Sequence, residues 1–417
     1  MVKPIALVQD YLDQFKCIGA ACSDNCCKGW DVDIDRHTYQ LYQSLEKSPL
    51  ADQFKTDLVI NTKPHPDGVD YAQMVLTAKK HCPFLTQDDW CSIQRHHGEK
   101  ALSLVCHNFP RTFNNIDDVI EVSATLSCPE VARLVLVRES VLELRRELLE
   151  RSKWVINQTV HQSSISLVGH PAKYLSMLRG FFIEVMGDQQ LSFYRKLVKL
   201  GMFHEGLMPY HVKDTVDHIP RYIETFKKEW QKKNMQLEAK GYKPSADNQI
   251  RFYSKFYQLL PKGGQLGDEF FDTMNLTAFQ LTSFSRTRKL KEVKQDLLHL
   301  QKTHLNPFLK KHPFFLINYC LHFNFKYLYP FSEEGDPYTA FTMLLCRLYL
   351  IQLYCLALAK ENGELTMEIA VTVVQKLTKV LEHNREFFKE LANYMMSTGL
   401  DHLSEILTLI VDESGYE

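Results

Sequence analysis

The sequence predicts a mainly α protein, with a small cysteine-rich α+β N-terminal region of short strands leading into a large helical body. Three observations predict it. Of 11 cysteines in 417 residues, eight fall between Cys17 and Cys128. Apolar runs in that stretch are short and broken by turn residues, so no element there buries a core alone and cross-linking through the cysteines would help to hold it. From Pro129 onward Leu and Val recur at three- and four-residue spacing, the period of a helix with one buried face. The regions expected are 1–135, binding metal or a cluster, and 136–417, the helical body, itself divided into two helical subdomains near 240–270.

The elements follow in chain order. The start, MVKPIALVQDYLDQF, lacks the basic residues, apolar stretch and small-residue cleavage site of a signal peptide, which predicts a cytoplasmic protein. Trp30-Asp31-Val32-Asp33-Ile34-Asp35 alternates as a strand does, and Arg36–Leu45 takes a helical period. Pro64-His65-Pro66-Asp67-Gly68 reads as a turn. Val69–Ala78 and Phe84–Ile93 are expected to form a hairpin around Thr86-Gln87-Asp88-Asp89, and Val119–Leu126 a further strand. Helices are expected over Val131–Ser152, Ala172–Val185, Leu191–Lys199, Asp217–Glu238 and Asp247–Leu260. Others are expected over Asn275–Leu300, Phe314–Tyr329, Thr339–Ala359 and Thr366–Thr398, with Pro307, Pro313, Pro330 and Pro337 as punctuation. Thr339–Ala359 approaches membrane-spanning length, but Arg347 and Gln352 interrupt it; it reads as a buried helix, without membrane insertion.

Composition excludes whole classes. With 45% hydrophobic and 12% aromatic residues the chain is not disordered, and 49 basic against 50 acidic residues give no global case for nucleic acid. The basic stretches Lys227-Lys228 with Lys232-Lys233, and Arg286 to Lys291, are mixed with acids and read as solvated helix faces.

The cysteines fall in two groups, Cys17-x4-Cys22-x3-Cys26-Cys27 and Cys82-x8-Cys91-x14-Cys106-x21-Cys128. A reducing cytosol keeps thiols free, and soft thiolates suit zinc and iron–sulfur clusters. Four ligands complete either kind of site, so eight cysteines mean two sites, or one site plus structural thiols. The spacing matches neither a zinc ribbon nor the CxxxCxxC run of radical enzymes. Irregular spacing and loop-type surroundings favour an iron–sulfur cluster, with zinc as the alternative. Adjacent Cys26 and Cys27 are not expected to bind one metal together. Cys320, Cys346 and Cys355, in apolar helical runs, read as core residues.

FKCIGAACSDNCCKGWDVDID, CPFLTQDDWCSIQ and ATLSCPEVARLVL, taken in order, resemble the bacterial flagellin lysine N-methylase family. The first two segments also resemble a wider group of proteins described as having zinc- or iron-chelating cysteine clusters. The resemblance is specific over residues 11–136 and continues more weakly beyond, through NYCLHFNFKYLYPF. It implies methyl transfer from S-adenosylmethionine to lysine side chains of flagellin, with a [4Fe–4S] cluster forming part of the site. Where the wider group has arginine and proline ahead of its third cysteine, this chain has Ser103-Leu104-Val105, which puts Cys106 in question as a ligand by analogy.

Methylating lysine requires a neutral amine, although a free lysine has a pKa of about 10.4. No glycine-rich turn follows a strand; Gly263-Gly264-Gln265-Leu266-Gly267 reads as a link between helices. The residues that remain as candidates lie beside the cysteines. Glu121 is a candidate base or cofactor contact, against a plain strand residue. Arg111 is a candidate carboxylate clamp, against a surface ion pair. Trp30 offers an aromatic face to a sulfonium, against a place in the core, and Asp31 adjoins it. His96 and His97 read as exposed on a helix, and His204-Glu205 lacks the second histidine of a zinc-protease motif. The function that the resemblance implies is a methyltransferase acting on flagellin, and the missing CxxxCxxC run favours polar over radical transfer. The alternatives are a non-catalytic iron–sulfur or zinc protein with a helical interaction domain, and a thiol redox enzyme.

Overall fold

A computed structural model describes residues 4–149, 155–211, 214–232, 241–260, 268–331, 336–381 and 385–411. It is 59% helical with 10% strand, and the strands lie toward the N-terminus, as the apolar periodicity predicts. The chain divides into two compact units, Met1–Val131 with Leu144–Thr159, and Ala132–Glu143 with Val160–Glu417.

In the first unit, strand β1 (Ile5–Gln9) forms because Ala6 and Val8 alternate inward, onto Phe113, Ile120 and Val122. It runs parallel to β6 (Val119–Ala124), with Leu7 opposite Glu121, and antiparallel to β7 (Leu144–Leu148). β5 (Arg111–Ile116) and β6 make a hairpin. Its turn residues Asp117 and Asp118 have φ of 47° and 64°, the two positive values that match a hairpin's strand twist. With β8 (Ile156–Val160) the sheet order is β7-β1-β6-β5-β8. A second, small sheet joins β2 (Asp33–Ile34), β4 (Ala72–Met74) and β3 (Leu58–Ile60) in the order β2-β4-β3. Asp35 links it to the helices: one carboxylate oxygen caps the helix Arg36–Ser44 at Thr38 N, and the other accepts from Leu104 N, each at 2.9 Å.

Several expected elements are corrected. The hairpin of Val69–Ala78 with Phe84–Ile93 does not form. Instead β4 pairs with β2 and β3, and Phe84–Ile93 closes on itself through a Leu85–Cys91 bridge. The helix over Val131–Ser152 stops at Leu136, and Leu144–Leu148 becomes an edge strand. Its spacing suits a helix, but pairing along β1 and ion pairs of Arg145 with Asp13 and Glu147 favour the extended form. Asn275–Leu300 is two helices, Glu269–Thr282 and Leu290–Leu300, because the intervening Ser283 and Ser285 hydroxyls bond locally to the backbone. Asp217–Glu238 contains the helix Ile219–Trp230, and positions 233–240 lie outside the described residues. The glycine-dense Gly263–Gly267 also lies outside them.

The second unit is built around the helix Pro337–Asn362, with Glu269–Thr282, Met367–Leu381 and Phe193–Leu207 packed on it. Asp336 caps it by accepting from Tyr338 N and Thr339 N, and Gly363, with φ of 80°, ends it. By length and composition alone this helix is able to cross a membrane, yet its most apolar window is 94% buried within the fold. Its two polar interruptions have local uses. The Arg347 guanidinium lies 3.7 Å over the Phe388 ring, and Gln352 Oε1 accepts from Val411 N at 2.9 Å. Phe315, Tyr319, Phe323, Phe325 and Tyr329 are core, as are Cys320, Cys346 and Cys355. His204 is buried too, bonded to Leu200 O and the Tyr329 hydroxyl.

Candidate functional site

The site is assembled by backbone contacts between segments far apart in sequence. Asn25, buried, donates from Nδ2 to Asp89 O at 2.8 Å and accepts from Cys27 N at 2.9 Å. Cys82 N donates to Cys27 O at 2.8 Å, Gly29 N donates to Lys80 O at 2.9 Å, and Lys28 pairs with Asp89 at 2.8 Å. Gly19, with φ of +54°, lies under the Trp90 indole: a Cβ there would stand 2.5 Å from the ring. These contacts press the first cysteine group onto the second.

Cys82 and Cys91 stand at the two feet of the loop closed by Thr86, whose Oγ1 accepts from Trp90 N at 3.0 Å. Cys106 sits on the short helix Leu104–Asn108, started by Ser103 and held to Asp35. Cys27, Cys82, Cys91 and Cys106 all border one apolar cluster that includes Val32, Phe54, Phe84 and Ile93. The Cys27 thiol has Cys26, Cys82 and Cys91 as its thiol neighbours. Cys106 has Cys82, Cys91 and Cys26 among its electrostatic neighbours. Cys128 has Cys22 and Cys26, and Cys22 has Cys26 and Cys17. Cys17 and Cys26 are exposed.

Burial and neighbouring thiols dominate the electrostatics of these cysteines. Hydrogen bonding to Cys26, Cys82 and Cys91 pushes Cys27 strongly up, while the Cys27 bond draws Cys91 down to about 6. Burial pushes Cys106 and Cys128 each up to about 12, and raises Cys22. A bound cation reverses such shifts, because it stabilises thiolates that burial alone penalises. Among the described residues no group of three or more His, Cys, Asp or Glu side chains has a geometry that could hold a metal ion. The donor chemistry is that of soft sulfurs, the type that suits a thiophilic metal.

The other candidates divide. Trp30 is brought to the cysteines, its indole N–H donating to Cys26 O at 2.6 Å and its ring edge on Phe109 at 5.5 Å. Asp31 is exposed. Arg111 and Glu121 belong to the hairpin rather than to the cysteine loops. Arg111 lies 5.5 Å over the Phe15 ring, close in sequence to Cys17, and Glu121 is buried on β6 between Leu7 and Asn114. His96 is exposed, and His97 bonds to the Ser48 hydroxyl at 2.7 Å, so neither joins the thiols. The sequence reading missed Asn25, Gly19 and Trp90, although an asparagine two residues before a cysteine is an Asx-turn signal. An open depression of about 520 Å³ borders Cys82, with Lys28, Lys79, His81 and Thr86 in its wall.

Comparisons with known proteins bear on what such a site does. The profile of the FliB lysine N-methylase C-terminal domain matches residues 179–409. The flagellar biosynthetic protein FliU of Salmonella muenchen is 32% identical over 127 residues, covering 30% of this chain and 73% of that one. The lysine-N-methylases of Salmonella typhimurium and Salmonella choleraesuis are each 28% identical over 156 residues. Those matches cover 37% of either chain, so this chain spans little more than a third of the two lysine-N-methylases' length. No solved structure matches.

Proposed function

The chain belongs to the FliB lysine N-methylase family, and from that premise we propose that it methylates lysine side chains of flagellin with S-adenosylmethionine as methyl donor. The observation that carries the proposal is the family match over residues 179–409, joined to the gathering of thiols in the first unit. The flagellar name of one relative supports flagellin as the substrate.

Three or four thiols from Cys17, Cys22, Cys26, Cys27, Cys82, Cys91, Cys106 and Cys128 are the proposed holders of a [4Fe–4S] cluster. Bound there, a cluster would supply a Lewis-acidic iron or a fixed charge near the methyl donor. The remaining work falls to the protein's own groups. Lysine must lose its ammonium proton before its nitrogen attacks, and Glu121, a buried carboxylate, is the proposed acceptor. Arg111 would hold a carboxylate by a bidentate pair, and Lys79 beside Cys82 offers further positive charge. Trp30 fixes the loop at Cys26 and presents an aromatic face to a cation.

The test is incubation of anaerobically purified protein with flagellin and S-adenosylmethionine, followed by intact-mass measurement. Mass added in steps of one methylene per methyl group is expected. Metal-loaded protein that adds none would overturn the reading in favour of a non-catalytic metal protein.

A further inference from the structure

We infer that the face of the large sheet carrying Gln9, Asn114, Glu121 and Ser123 receives the ammonium head of the substrate lysine. The inference rests on the reading that the chain methylates lysine, and deepens it by naming what holds the amine beside Glu121.

The register of the sheet places these residues together. Alternate residues of a strand share a face. β1 and β6 pair in parallel with Leu7 opposite Glu121 and Val8 opposite Val122, which brings Gln9 alongside Ser123. β5 continues both rows, with Asn114 opposite Glu121 and Thr112 opposite Ser123. Ala6, Val8, Phe113, Ile120 and Val122 fall on the other face and make its apolar cluster. A sheet with one polar face ordinarily turns that face to water. Here it is buried: Gln9, Asn114 and Ser123 are each 1% exposed, and Glu121 6%. Burying polar groups is unfavourable unless each finds a partner. Among the described residues Gln9 Oε1 is buried and has no hydrogen-bond partner. A buried acceptor left unused in this way calls for a reason, and a ligand that donates to it is one.

The character of the face selects that ligand. Gln9 Oε1 is an amide oxygen and the ionised Glu121 side chain only accepts. Their complement is a group that only donates, and a primary ammonium is such a group, with N–H bonds in three directions and no acceptor. Its positive charge is matched by Glu121. From Glu121 the same row passes through half-buried Leu7 to exposed Arg146 on the edge strand β7. The face therefore reaches the surface past an apolar side chain, against which the methylenes of a lysine pack while its head lies deeper. An α-amino acid fits less well, because its own carboxylate would meet that of Glu121.

The experiment measures thermal melting of the full chain at fixed ionic strength with n-butylammonium, the lysine side chain without its backbone. The controls are n-butanol, of the same length and uncharged, and free methionine. n-Butylammonium alone is expected to raise the melting temperature, and Gln9→Met should abolish the rise. Gln9→Met should itself melt no lower than the parent, since it replaces a partnerless polar group by an apolar one of similar length. Its kcat/KM for flagellin should fall about tenfold to hundredfold, the loss expected for a hydrogen bond to a charged group. A lower melting temperature with unchanged kcat/KM would make Gln9 a structural residue and overturn the inference, as would a rise with methionine but not with n-butylammonium. Should Gln9→Met fail to fold, hydrogen exchange of the native chain decides. Amides of Ala6–Gln9 and Ile120–Ser123 should slow with n-butylammonium and not with n-butanol; no difference refutes the site. Binding of n-butylammonium there without methylation of flagellin would sink the proposed function alone. Methylation that is indifferent to Gln9→Met would sink this inference alone.

Discussion

Gly19→Ala perturbs the cysteine region at one atom, and its cost can be divided. Gly19 has φ of +54°, a left-handed conformation that a Cβ penalises by about 1 kcal/mol. The same Cβ would lie 2.5, 2.6 and 2.9 Å from three atoms of the Trp90 ring. Indole is rigid, so the loop or the ring must shift, an overpacking cost of about 1–3 kcal/mol. The sum, about 2–4 kcal/mol, falls on the loop that carries Cys17 and Cys22. Hydrogen exchange at the Cys22 amide reads it directly, since that N–H bonds to Gly19 O at 3.0 Å. Its protection should fall roughly 30-fold to 1000-fold. In a Trp90→Ala background only the backbone strain remains, and the same substitution should cost about 1 kcal/mol. An equal loss in both backgrounds would refute the docking of Trp90 on Gly19.

Three further outcomes are expected. Glu121→Gln keeps the shape of the residue but removes the proposed proton acceptor; the single-turnover methylation rate should fall by about 10²-fold or more, with flagellin binding little changed. An unaltered rate would return Glu121 to a structural role on β6. Gln352→Leu leaves the buried Val411 N–H without its acceptor and should cost about 1–3 kcal/mol, read as a lower midpoint in urea. Burial lowers the pKa of Lys199, which lies 5.3 Å from the Trp230 ring and 3.9 Å from Asp188. The folded state therefore holds that proton less firmly than the unfolded chain. The resulting penalty is complete at neutral pH and relieved as pH rises through the unfolded value near ~10.4. Lys199→Met should melt higher than the parent at pH 7 and lose that advantage on approach to pH ~10.4. A lower melting temperature at neutral pH would mean that the contacts to Trp230 and Asp188 outweigh burial.

Long apolar periods were legible where one helix settles its own burial. The Thr339–Ala359 expectation lies within Pro337–Asn362, and the Asp-Pro start and Gly363 end are local signals that need no partner. Legibility failed where a partner decides. Leu144–Leu148 carries spacing compatible with a helix and becomes a strand because β1 offers a complete ladder, from Ile5 opposite Leu148 to Gln9 opposite Leu144. β4 was expected to pair with the segment after it, but β2 and β3 take both of its edges. A strand's partner is a tertiary fact, and alternation along one segment carries no record of it.

The cysteines illustrate the same division at the site. Their residue type announces sulfur chemistry, but their spacing does not say which thiols meet, because the meeting is arranged by other atoms. Asn25 reaches Asp89, and Cys82 N reaches Cys27 O, across more than fifty residues of chain. Cys106 shows how a departure from a family pattern changes the local means by which a residue is held. Ser103-Leu104-Val105 replaces the expected arginine and proline, which put Cys106 in question. In the fold Ser103 is the N-cap of the helix bearing Cys106, accepting from Cys106 N at 3.4 Å, while Leu104 N is held by Asp35. The substituted residues thus supply their own means of fixing the cysteine beside Cys82 and Cys91. A serine cap, with the next residue's amide held by a distant aspartate, fixes the backbone at Cys106 by a route that spacing along the chain does not announce.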